Sequence, residues 1–392
     1  MNAPLPRQQP PFDTARLDAL LDDAGIDVLL ATSKHNVQYL LGGYRSFFFE
    51  VIDAIGVSRY LPVFVYVKGK PDQSAFIGAG LDSYSVQLGE IWTPATQTRA
   101  YGSKDAIGYA LAHLKAVGAP ARRIGVEVPF LPIDVAPVIT DALPNATLVD
   151  ATFPLERLRA RKTSEELTLL REASERVVAS MQAVFAQAEP GMTKAQLVQT
   201  LREEETAREL TFEYCLVTAG ANLNRAPSGQ KLAAGDIVSL DSGGNYRGYV
   251  GDLCRMGILG EPDAELEDLL GVIEEIQQAA RAPLRAGALG NETVAVGQAR
   301  VAASPHAAYL DFTAHGLGLI THEAPRLMPN LARYDDYDGG RPLQAGMTVS
   351  IETTMHHPKR GFIKLEDTVA VTESGCEGYG DAARGWNRMG AH

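Results

Sequence analysis

Cysteine is nearly absent from this chain: Cys215, Cys254 and Cys376 are the only three in 392 residues. An odd number at such wide spacing excludes a disulfide framework and a Cys-x-x-Cys metal knuckle, and it fits a reducing, cytoplasmic setting. Basic residues are short as well. Lys and Arg total 36 against 48 Asp and Glu, for a formal charge of −12. An acidic chain without a basic block repels phosphate backbones, which argues against nucleic acid as a partner. Long apolar runs are missing, and windows such as residues 62–67 are too short to cross a bilayer. No glycine-rich phosphate loop follows any strand pattern, which disfavours a dinucleotide domain. Histidine is missing from the whole stretch between His113 and His306. Residues 1–11 lack the apolar core of a signal peptide and read as a mobile, Pro-rich leader.

What is present describes a globular protein. Apolar residues make up 45% and charged residues 21%, ordinary values for a folded domain, and the length exceeds what one core usually holds. The first part alternates helix and strand patterns, as an α/β domain does. Leu17, Leu20 and Leu21 recur at helical spacing behind a cap at Asp13 or Thr14, and Gly25 can end that helix. Apolar strands follow at 26–31, 61–67, 124–128 and 146–149, with a helix over 103–116. From Glu156 the character changes. Thr163-Ser164-Glu165-Glu166 reads as an N-cap with acids in the first turn, opening a long helix to about residue 188. Further helices are expected over 194–208, 265–282 and 292–303. The boundary falls in 155–162, which gives an N-terminal domain of residues 1–158 and a C-terminal domain of residues 159–392.

The chemistry concentrates in the second part. Ile237-Val238-Ser239-Leu240-Asp241 is an apolar strand ending in a carboxylate, Ser242-Gly243-Gly244-Asn245 reads as a turn, and Tyr249-Val250-Gly251-Asp252 returns. Each acid alone reads most simply as an exposed hairpin residue. His315 stands in Ala314-His315-Gly316-Leu317-Gly318, on backbone that a ligand can approach closely. Glu352 and Glu366 each interrupt an apolar strand, where an unpaired buried carboxylate is strongly disfavoured. Together these residues make four carboxylates and one imidazole. Two divalent cations would cancel the four negative charges, and bridging carboxylates would hold them about 3.5–4 Å apart, the spacing of two-metal hydrolysis. An oxygen-rich set with one nitrogen suits Mn, Co or Fe, with Zn possible.

The order Asp241, Asp252, His315-Gly-x-Gly, His322-Glu323-x-Pro325, Glu352 and Glu366-Asp367 resembles the pita-bread metallopeptidases, which include methionine aminopeptidase, prolidase, aminopeptidase P and creatinase. The N-terminal α/β segment, Arg159-Ala160-Arg161-Lys162-Thr163 and the long helix resemble the prolidase, aminopeptidase P and creatinase branch. The resemblance implies an α/β N-terminal domain plus an α+β pita-bread catalytic domain. It implies two metals on Asp241, Asp252, His315, Glu352 and Glu366, with a metal-bound hydroxide as nucleophile. It also implies a substrate contact at His322, proton handling by Glu352 or Glu366, and a homodimer in which Arg45 and Phe47-Phe48-Phe49 help select a small-molecule or dipeptide substrate. Ordinary core packing competes with that last role for at least two of the phenylalanines.

Three departures accompany the resemblance. The stretch around Ala219-Gly220-Ala221-Asn222-Leu223-Asn224-Arg225-Ala226-Pro227-Ser228 lacks the proton-shuttling histidine of the peptidases. Glu352-Thr353-Thr354 replaces the usual Glu-Pro-Gly, and Lys364 replaces an arginine, keeping its charge without a bidentate fork. The leading expectation is a dinuclear hydrolase resembling Xaa-Pro dipeptidases and aminopeptidases. The alternatives are a creatinase-like or ectoine-hydrolase-like C–N hydrolase or a lyase acting on a small non-peptide compound, and a metal-free binding module. The missing histidine favours the small-molecule alternative and predicts weak turnover of Xaa-Pro dipeptides. His356-His357 read first as surface residues and second as lining of the site.

Overall fold

The computed structural model describes residues 9–50, 60–328 and 336–390, without the side chains of Phe48 and Phe49. Most of the 1–11 leader and His392 lie outside the described residues. The chain divides into two compact units, Met1–Leu158 and Arg159–His392.

The first unit is built on a mixed six-stranded sheet of β1 (Val28–Ala31), β2 (Val63–Val67), β3 (Lys70–Ile77), β4 (Ala95–Gln97), β5 (Arg123–Val126) and β6 (Thr147–Asp150). Their order is β4-β3-β2-β1-β5-β6. Both faces are covered. Leu29, Ala31, Phe64 and Tyr66 pack with Leu17 and Leu21 of the helix Thr14–Asp23. Leu30, Val63 and Val65 pack with Ala106, Ile107 and Ala110 of the helix Ser103–Ala116. Two covered faces explain why these strands read as apolar runs without alternation. Beyond β5 the carboxylate of Glu127 is fully buried. It accepts from the backbone N–H groups of Thr32 (2.6 Å) and Ser33 (2.8 Å) and from Asn36 Nδ2 (2.5 Å). In the 45–49 cluster Arg45 pairs with Glu50, and Phe47 stands 62% exposed outside the core. The side chains of Phe48 and Phe49 lie outside the described residues.

The second unit carries an eight-stranded sheet. Its strands are β7 (Thr211–Ala219), β8 (Ile237–Tyr246), β9 (Tyr249–Leu259), β10 (Leu310–Gly316), β11 (Thr348–His357), β12 (Gly361–Val371), β13 (Cys376–Tyr379) and β14 (Asn387–Met389). The path runs β10-β11-β12-β9-β8-β7, with β13 on β12 and β14 on β9. Helices Ser164–Gln187 and Lys194–Ala207 build one core with β7 to β9, and Ala264–Arg281 and Gly290–Ala303 build another with β10 to β12. Thr163 and Glu166 close a capping box at the start of the long helix, as the sequence predicts. Among the described residues no helix is long and apolar enough to cross a membrane.

The β8–β9 hairpin departs from the sequence reading. The turn is not at Ser242-Gly243-Gly244-Asn245. β8 continues to Tyr246, and the chain reverses at Arg247 (φ 52°) and Gly248 (φ 101°), two positive-φ residues of the kind tight hairpins require. The two glycines serve packing instead. A Cβ on Gly243 would fall 2.3 Å from the Tyr214 ring, and one on Gly244 would fall 2.6 Å from Val177. Asp241 therefore pairs across with Cys254, and Asp252 with Gly243. Along β8, Val238 and Leu240 enter the core beneath the long helix. Strand alternation then turns Asp241 to the other face.

Candidate metal centre

Five neighbouring strands each contribute one side chain to that other face: Asp241 from β8, Asp252 from β9, His315 from β10, Glu352 from β11 and Glu366 from β12. Glu352 and Glu366 are direct cross-strand partners, and Glu366 sits opposite Cys254. His315 Nε2 lies 3.0 Å from Glu352 and 3.8 Å from Glu366. Asp252, His315 and Glu366 each offer one donor atom, and these atoms all lie within 4.8 Å of one another. The structure thus brings together all five residues singled out from the sequence. It adds a cation at their centre. Lys364 Nζ is 2.7 Å from Asp241, 2.6 Å from Glu352 and 2.7 Å from Glu366. Arg225 also pairs with Asp241 and lies over the Phe362 ring, 4.9 Å from its centroid.

The electrostatics follow from burial opposed by these pairs. Burial lifts Asp241 to about 6, against the pull of Lys364 and with Glu366 adding to the rise. Asp252 is pushed well above the usual carboxylate range by burial and then by the charges of Glu366 and Asp241. Glu352 goes the other way, because Lys364 and His315 outweigh its burial. Glu366 is also lowered despite burial and the charge of Glu352, chiefly by Lys364 and His315. Burial opposes the charged form of His315, yet Glu352 and Glu366 raise it well above its ordinary value. Among the described residues Asp252 has no lysine or arginine partner.

Several supporting contacts carry no sequence signal of their own. Tyr214 donates to Asp252 (2.6 Å), and Ser350 donates to Glu366 (2.8 Å). Nothing in the spacing around Tyr214 marks it; its role depends on a register shift in β7 near that residue. His315 Nδ1 faces the Gly316 carbonyl at 3.2 Å, which can only accept, so Nε2, 3.0 Å from Glu352, is the nitrogen turned toward the carboxylates. A Cβ on Gly316 would fall 2.3 Å from the Ala324 backbone, so glycine is required where the 322–325 loop closes over the strand. There Glu323 is fully buried between Arg159 (2.8 Å) and Lys162 (3.1 Å). His322 stacks on His315, with ring centroids 3.8 Å apart and planes 18° apart, while its edge reaches solvent. Partial burial of that ring and the neighbouring His315 push His322 down to about 4.

Other histidines lie elsewhere. His356 sits 3.6 Å from Asp311, and His357 packs beside His306 and Tyr309. On the helix-facing side of the same sheet, Asp367 meets Arg255 (3.3 Å), Arg281 (3.0 Å) and Arg384, which overcome its burial and hold it at about 2. Glu205 accepts from Ser242 (2.9 Å), and burial lifts it to about 8.

The donor set fits a divalent ion. Two carboxylates and an imidazole with an oriented ring are suitable ligands, and a cation favours the ionised form that Asp252 otherwise resists. Comparison with known proteins agrees. The family model "Metallopeptidase family M24" matches residues 168–373, and the "Creatinase/Prolidase N-terminal domain" matches residues 14–161. The chain is similar to the peptidase YqhT of Bacillus subtilis, at 25% identity over 92% of this chain and 95% of that protein. It is similar to the probable dipeptidase PepE of Mycobacterium tuberculosis, at 30% identity over 62% and 67%. In fold it is similar to the solved Xaa-Pro dipeptidase from Bacillus anthracis, with a TM-score of 0.80, 23% identity, and 96% and 99% coverage.

Proposed function

The chain belongs to metallopeptidase family M24, and from that premise we propose that it hydrolyses a small peptide or peptide-like amide at a divalent-metal centre. Asp252, His315 and Glu366 would hold the metal, with Asp241 and Glu352 beside them. The observation that carries this reading is the convergence of three buried donors within 4.8 Å of one another. A divalent cation bound there supplies Lewis-acid polarisation of a carbonyl and draws the pKa of water toward neutrality.

The chain's own residues supply orientation and proton handling. Tyr214 fixes Asp252, Ser350 fixes Glu366, and the Gly316 carbonyl fixes the His315 ring. Glu352 is the most open of the four carboxylates, with 17% of its side chain exposed against 2–3% for Asp241 and Glu366. That exposure favours it as the group that accepts a proton from an incoming water at its Oε atoms. Lys364 and His315 depress its basicity, so the proton is passed on rather than kept. His322, neutral at pH 7, offers a ring N–H to a carbonyl oxygen as negative charge develops on it.

A second reading is favoured by Arg225. It lies in the segment where the peptidases resembled here carry a proton-shuttling histidine, and a guanidinium cannot give up its proton near neutrality. That points to a small C–N or C–S substrate whose leaving group needs less protonation. Loss of a positioned acid costs about 10²–10⁴-fold. One experiment separates the readings: protein reconstituted with Mn²⁺ is assayed on Xaa-Pro dipeptides beside small amides and amidines, together with Asp252→Ala. The peptidase reading expects kcat/KM on dipeptides of about 10⁴ M⁻¹s⁻¹ or more. Asp252→Ala should lose metal and activity together. Wild-type protein that retains no metal after reconstitution would overturn both.

A further inference from the structure

Four carboxylates and one imidazole, counted alone, ask for two divalent ions. That count omits the two protein cations already among them. Lys364 is 3% exposed, and its ammonium has three N–H donors. Its nitrogen donates to Asp241 and lies 2.6–2.7 Å from carboxylates of Asp241, Glu352 and Glu366. Arg225 adds a second positive charge on Asp241. Against four negative charges these two leave a deficit of two, which one divalent ion cancels. A second ion would add two more positive charges beside the buried Lys364 ammonium, where unpaired charge is strongly disfavoured.

Charge alone does not decide, because an arginine at this position brings the same charge; placement does. The described residues contain one group of converging donors, Asp252, His315 and Glu366. It leaves out Asp241 and Glu352, the two carboxylates that Lys364 holds besides Glu366. A second ion on Asp241 and Glu352 would have to displace an ammonium that is tethered in the middle of β12 and lies within 2.7 Å of three carboxylates. Asp252, which has no lysine or arginine partner among the described residues, is where added positive charge is needed.

We propose that Lys364 stands in for the second metal, so that this chain binds a single divalent ion at Asp252, His315 and Glu366. The proposal rests on the metal-centre reading above and concerns only the number of ions.

The test uses Mn²⁺ as the probe and needs no substrate. Full-length protein is equilibrated with excess Mn²⁺, desalted, and measured by elemental analysis and electron paramagnetic resonance. One Mn²⁺ per chain with the six-line spectrum of an isolated ion is expected. Two per chain with an exchange-coupled spectrum would overturn the proposal while leaving the metal centre intact. No retained Mn²⁺ would overturn the metal centre as well. Lys364→Met, which removes the ammonium at similar length, should raise the stoichiometry to two. A folded K364M protein that still binds one ion would refute the lysine's role. If K364M does not fold by circular dichroism, the wild-type count and spectrum decide alone.

Discussion

Glu127 in the first unit and Asp367 in the second are both fully buried carboxylates, yet their surroundings differ in kind. Glu127 is held by two backbone N–H groups and an amide, all neutral. Asp367 is held by three guanidiniums, and one residue earlier Glu366 shares an ammonium with Asp241 and Glu352. A neutral cradle tolerates one charge and pins two chain segments together. A cationic one sets up a local charge count that has to balance. Around Asp367 protein cations supply the balance, and around Asp252 the described residues supply no lysine or arginine. Buried acid by itself therefore does not mark a functional centre; an unmatched count does.

Removing Asp367 should give the largest structural effect. Asp367→Ala leaves the fully buried Arg255 without its carboxylate, while Arg281 keeps Asp381 and Arg384 keeps Glu274, and breaking a buried pair typically costs about 3–5 kcal/mol. Chemical denaturation should show that loss; a change below about 1 kcal/mol would mean Arg255 is satisfied elsewhere. Glu127→Ala should cost less, about 2–4 kcal/mol, because it leaves neutral donors unpaired rather than charges. Its Mn²⁺ content should match wild type, and a fall in metal would break the contrast between the two regions.

The last effect sharpens the contrast through pH, as a slope rather than a loss at one pH. Glu205 is raised from its ordinary 4.5 to about 8 by burial, so between those values the folded chain keeps a proton that the unfolded chain has released. Stability from this group is complete below about pH 4.5 and falls as pH rises toward 8, by about 1.4 kcal/mol per unit inside that window. Glu205→Gln should flatten the stability curve by that slope between pH 5 and 8. Parallel curves for the two proteins would show that Glu205 titrates normally.

Much of this was legible from local chemistry. The helix Ser103–Ala116 and the Thr163–Glu166 capping box follow from propensity and capping alone. The residues Asp241, Asp252, His315, Glu352 and Glu366 stood out only as an ordered set and through the family resemblance; each hairpin acid alone reads as exposed. The hairpin turn was misplaced because Gly243 and Gly244 look like turn residues. Their reason is the Tyr214 ring and Val177, which lie far off in sequence. Lys364 was visible as a departure, but its three partners come from β8, β11 and β12, and only the assembled sheet brings them to one nitrogen.

Strand β12 has a further property that its neighbours lack. Its register pairs Glu352 with Glu366 and Thr353 with Leu365, and Ile363, Leu365 and Val369 lie in the apolar core. A slip by one residue would exchange the two faces. The acids alone would hardly object, because Glu366 and Asp367 are adjacent and each face would still receive one. Lys364 would object: the slip would carry its ammonium away from Asp241 and Glu352 to the core face, beside Ile351 and Met355. The same lysine that fills the acidic pocket thus also proofreads the alignment of the strand that carries it, and a misaligned chain would be rejected during folding, before any substrate is met.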